Sequence, residues 1–130
     1  MRKLTAIFAA VLLASPIAAK AEPTFLVCEG KTELGPFTWQ ITLNEAASTV
    51  SLARNGRSFT ALAGFGPESV NWTHISGSVQ VAFHLNRLTG EINNRMIVPS
   101  SWGKKHQESA KKRTGSGQCY LQQAPKERKF

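Results

Sequence analysis

An all-β fold, a small antiparallel meander of about eight short strands, is what this 130-residue chain predicts, on three observations. Apolar and polar residues alternate with period two through most of the chain beyond its N-terminal segment. Turn-forming residues interrupt that alternation at hairpin intervals. No stretch carries the apolar spacing of an amphipathic helix of useful length.

Thr24 to Glu29 supplies the opening strand. Phe37 to Leu43 follows, with Phe37, Trp39, Ile41 and Leu43 on one face and Thr38, Gln40 and Thr42 on the other, the pattern of a half-buried strand. Asn44 to Ser48 reads as a turn or a single helical turn, and Thr49 to Ala53 then puts Val50 and Leu52 on one side. Asn55-Gly56 favours a tight type I′ hairpin, because both residues tolerate positive φ, and leads into Arg57 to Ala63.

Gly64-Phe65-Gly66-Pro67 breaks the pattern. Ser69 to Ile75 resumes it with Val70, Trp72 and His74 on one face. Ser76-Gly77 turns the chain into Ser78 to Asn86, where Val79, Val81, Phe83 and Leu85 alternate with polar or small neighbours. Thr89-Gly90 leads to Glu91 to Val98, with Ile92, Met96 and Val98 facing in, Arg95 facing out and Pro99 ending the strand. Residues 100–118 show no period and hold one large apolar residue, Trp102, so they read as a long basic loop; loops of that length are usually functional or disordered. Cys119 to Gln123 forms the last strand. The two cleanest strands, Phe37 to Leu43 and Ser78 to Asn86, are expected to share one core, and strands this short predict that the core is filled.

The N-terminus has the layout of a secretory signal peptide. Arg2 and Lys3 provide the positive start, Leu4 to Leu13 the apolar stretch and Ala19-Lys20-Ala21 the small-x-small cleavage site. Residues 1–21 are therefore assigned as signal peptide, with cleavage near Ala21, and 22–130 as a single β-domain of the bacterial periplasm or medium. Ser15-Pro16 interrupts an apolar run already too short to span a membrane, and no second one exists, so no transmembrane segment is expected in the mature protein.

Cys28 and Cys119 are the two cysteines of the chain. In an oxidising compartment an isolated pair is most simply a disulfide. It would bring first and last strands together, which favours a closed barrel over a sandwich with facing terminal strands. The formal net charge is +8. Loss of Arg2, Lys3 and Lys20 lowers it, and what remains is concentrated in the 100–118 loop and a short basic tail at 124–130. Trp102, Lys104, Lys105, Lys111, Lys112 and Arg113 form the candidate surface for an anionic partner, set against the plainer reading of a solvated loop. Export argues against nucleic acid and for an anionic envelope component or an external protein.

Catalytic constellations are hard to assemble from what is left. There is no aspartate, the glutamates are scattered singly, and no G-x-S-x-G elbow is present. His74, His84 and His106 lack metal-ligand spacing, so no metal and no cofactor is expected. His74 is the least ordinary, a titratable ring sharing an apolar face with Trp72. The expected function is non-enzymatic binding of an unknown ligand; the alternatives are inhibition of an external hydrolase such as lysozyme and, more weakly, an enzyme using a glutamate and His74 at a barrel mouth.

Several short motifs run through the chain: F-x-x-C-x-G (Phe25 to Gly30), W-x-I-T-L (Trp39 to Leu43), L-N-R-x-T-G (Leu85 to Gly90), G-x-C (Gly117 to Cys119) and a K-x-x-K-F ending. Together they resemble small exported proteobacterial one-disulfide proteins of unassigned function, a resemblance that implies a β fold and no activity. A looser likeness, in size, export and a Cys-Glu-Gly opening, is to periplasmic lysozyme inhibitors of the eight-stranded barrel type. Their inhibitory S-G-x-x-Y loop is not reproduced, since Ser76-Gly77 continues as Ser78-Val79-Gln80.

Overall fold

Eight antiparallel strands close into an up-and-down barrel in the computed structural model, which describes residues 22–122. The segment expected to be a signal peptide, 1–21, and the basic tail, 124–130, lie outside the described residues. The strands are β1 (Thr24–Thr32), β2 (Gly35–Asn44), β3 (Thr49–Arg54), β4 (Arg57–Phe65), β5 (Ser69–Ser76), β6 (Val79–Asn86), β7 (Glu91–Ile97) and β8 (Gly115–Leu121). Each pairs with its sequence neighbours, and β8 returns to pair with β1, so the sheet closes on itself.

Turn chemistry sets the register. Asn55 and Gly56 both take positive φ, 48° and 76°, and bring Arg54 opposite Arg57 across the β3–β4 hairpin. Asn44 and Asn86 act differently: their side-chain carbonyls accept hydrogen bonds from the backbone N–H groups of Ala47, and of Leu88 and Thr89, shaping the β2–β3 and β6–β7 turns. Those two turns, with the β4–β5 turn, form one end of the barrel. Arg87 ties them together there, pairing with Glu45, donating to the Gly66 carbonyl and lying over the Phe65 ring.

The inward positions of this closed half are filled by Ile41, Val50, Val70, Leu85 and Ile92, all almost fully buried. Trp39, Trp72 and Phe83 form a packed aromatic layer above them: Trp72 stacks on Phe83 at 5.0 Å and Trp39 meets Phe83 edge-on at 5.5 Å. Cys28 and Cys119 sit opposite one another in the β1–β8 ladder and are disulfide-bonded.

Two expectations are corrected. The 100–118 segment is not a loop throughout: α1 (Lys104–Lys112) is a helix, and β8 begins at Gly115. Lys, Gln, Glu and Ala favour helix intrinsically, but Ala110 is the one residue α1 buries, so no apolar period announces it. Gly115 and Gly117, expected within that loop, likewise belong to a strand. A Cβ at Gly117 would run into the Glu29 carbonyl oxygen, and one at Gly115 into that of Lys31, so these residues let β8 close against β1.

Candidate functional site

The other end of the barrel is open. Its turns are β1–β2, β3–β4 and β5–β6, together with the connection from β7 through α1 to β8. Here the barrel holds a cup of about 880 Å³. The expected filled core is therefore found only in the closed half. Toward the open end the ladders also stop short: β4 pairs with β5 only from Ala63 to Phe65, and β7 with β8 only from Glu91 to Asn94.

Leu52, Trp39, Phe83 and Asn94, all buried, make the cup's floor. Its walls carry two aromatic pairs, in which Phe37, Phe59 and His74 are half-buried. Phe37 stacks on Trp39 with ring centroids 3.9 Å apart, and Phe59 stacks on His74 at 3.8 Å. The first pair stands on β2 and the second spans β4 and β5, with β3 between them. Val81 and Met96 complete the apolar surface, while Arg54, Asn55, Arg57 and Arg113 line the mouth.

Asn94 is the one buried polar residue of the barrel. Its Nδ2 donates to the Arg113 carbonyl at 3.1 Å, tethering the end of α1 to β7, while its Oδ1 has no partner among the described residues. The Trp39 indole N–H is likewise buried and unpartnered. Beside it the β7–β8 ladder stops at Asn94, and the Thr114 hydroxyl accepts a hydrogen bond from the Met96 backbone N–H beyond that point.

The surface proposed from sequence is divided by the fold. Lys104, Lys105, Lys111 and Lys112 are exposed on α1 at the open end. Arg113 caps α1 at its C-terminus and reaches the cup. Trp102 precedes the helix, packs edge-on against His106 and does not line the cup. Of the histidines, His84 lies on the outer face bonded to Asn71, and His74 alone enters the cup. No glutamate lines it, so the glutamate–His74 pairing is not assembled there. Ser76 and Gly77 lie at the exposed β5–β6 turn, and Gly77 takes a φ of 63°.

Parity could have found the cup residues that sequence reasoning missed. Arg54 follows Val50 and Leu52 on the inward side of β3, Arg57 precedes Phe59, and Asn94 falls between Ile92 and Met96. Polar residues on an inward face were the signal. No group of three or more potential metal-ligating side chains occurs among the described residues, and no helix among them is long and apolar enough to cross a membrane. No protein-family model matches the chain, and neither a curated protein nor a solved structure shows significant similarity to it.

Proposed function

We propose that this is an exported, non-enzymatic binding domain that holds a small ligand in the open end of its barrel. The observation that carries the reading is the cup itself: about 880 Å³ with a buried aromatic floor and a few polar groups placed at its mouth. Ligand sites of small molecules have that size and combine aromatic surface with polar groups that fix orientation. Eight-stranded barrels are just wide enough to hold one such ligand. The signal-peptide pattern supports a periplasmic or secreted location, and the lysines of α1 beside the mouth support an anionic envelope component as partner.

Native mass spectrometry of the mature protein purified gently from envelope extract tests the reading. A co-purifying mass lost on denaturation, and lost also from a Phe59→Ala variant, is the expected result. Dissociation of an intact protein partner instead, or inhibition of lysozyme at one-to-one stoichiometry, would replace the small ligand with the inhibitor reading.

A further inference from the structure

The mouth of the cup carries positive charge without a matching acid. Arg54 and Arg57 face one another across the Asn55-Gly56 hairpin, a like-charge pair directly opposite in the ladder, which works against strand pairing. Arg113 adds a third guanidinium from the end of α1, where the Asn94 amide holds its backbone. The ion pair among the described residues is Arg87–Glu45, at the closed end, so no described carboxylate lies within salt-bridge distance of these three arginines. A guanidinium matches planar oxyanions two hydrogen bonds at a time, and such bonds are stronger than neutral ones.

Below the arginines the chemistry changes. The walls are the two stacked pairs, Phe37 on Trp39 and Phe59 on His74, and the floor is closed by Phe83. A wholly charged ligand would gain nothing from these rings, and a wholly apolar one would desolvate the arginines for no return.

Resting on the small-ligand reading above, we propose that the occupant is a free, flat aromatic or apolar anion. Its ring system lies between the two aromatic pairs, and its carboxylate, sulfonate or phosphate pairs with Arg54 and Arg57. Arg113 closes the third side of that anion site.

The test is fluorescence titration of the mature protein with two dyes of one scaffold, anilinonaphthalene sulfonate and its uncharged parent N-phenylnaphthylamine. The same titrations are run on an Arg54→Gln/Arg57→Gln variant. A variant with Lys104, Lys105, Lys111 and Lys112 replaced by Gln serves as a control for diffuse attraction to the helix. The proposal expects saturable one-to-one binding of the sulfonate, at least about tenfold tighter than the parent. The arginine variant should lose that preference while binding the parent unchanged, and the lysine variant should keep it. Because Arg54 and Arg57 are exposed, the arginine variant should fold, and its thermal midpoint checks this. Equal affinity for both dyes, or a preference lost with the lysines rather than the arginines, would overturn the anion assignment and leave the cup standing. Binding of neither dye would overturn the cup reading as well.

Discussion

Gly117 shows how little freedom single positions have where the barrel closes. The backbone of β1 passes so near that a Cβ there would overlap the Glu29 carbonyl carbon and oxygen, neither of which can move without breaking the β1–β8 ladder. Gly117→Ala should therefore lower stability by at least about 2 kcal/mol, read as a shift in urea midpoint at unchanged slope. Gly30→Ala meets Phe37 as well as backbone and should disturb the cup wall too, visible as altered aromatic ellipticity in the near ultraviolet. Trp39 and Phe83, buried in the layer between the cup and the filled half, have a different failure mode. Truncating either to Ala opens a cavity in contact with the cup, and a loss of about 3–5 kcal/mol is expected by the same urea titration. A loss below about 1 kcal/mol in both variants would mean that the aromatic layer does not hold the barrel together.

Strands and helix were legible in the sequence to very different degrees, and for a physical reason. A strand in a small barrel faces core on one side and solvent on the other, so Phe37 to Leu43 or Val79 to Asn86 must alternate, and the pattern is written in the residues. Helix α1 buries only Ala110, and nothing in its order of residues distinguishes it from a solvated loop. Its charge is also arranged against its own stability. Lys104 and Lys105 occupy the first turn, where the helix dipole disfavours cations, no acidic residue offsets them, and Gly103 offers no side-chain cap. Replacing both lysines by Glu should stabilise the helix by about 0.3–1 kcal/mol per site, detectable as slower amide exchange at His106 to Glu108. No gain would indicate that packing on β7, rather than its termini, governs α1. The cup was the least legible feature: it lies where the β4–β5 ladder stops at Ala63 and the β7–β8 ladder at Asn94, and the alternation of residues does not record where a ladder ends.

On the scale of the whole barrel, positive charge among the described residues is concentrated at the open end. That end holds Arg54, Arg57, Arg113 and the lysines of α1 against Glu33 and Glu108, whereas Glu45, Glu68 and Glu91 lie with Arg87 toward the closed one. That separation makes the barrel a dipole whose positive pole is its mouth, so an anion approaching it is drawn toward the cup, an attraction that salt weakens over about 8 Å at physiological ionic strength. Stability at this scale depends on the seam. The disulfide joins residues 91 positions apart on the first and last strands. Replacing Cys28 and Cys119 by Ala should cost about 4 kcal/mol, because the unfolded chain regains the freedom of a long loop. A loss below about 1 kcal/mol on urea titration would mean that the β1–β8 ladder holds the barrel shut unaided.

The same bond makes a covalent ring of everything between Cys28 and Cys119, and that ring runs once around the barrel. A protease that cuts at an exposed turn within it, such as Asn55-Gly56, separates no fragment, since both pieces stay joined by the disulfide and by the β3–β4 and β1–β8 ladders. Nicked molecules should migrate as one species until a reducing agent is added, and as two afterwards. Clipping at the mouth would thus alter the cup's rim without dismantling the protein, which makes its hairpins tolerant places for change.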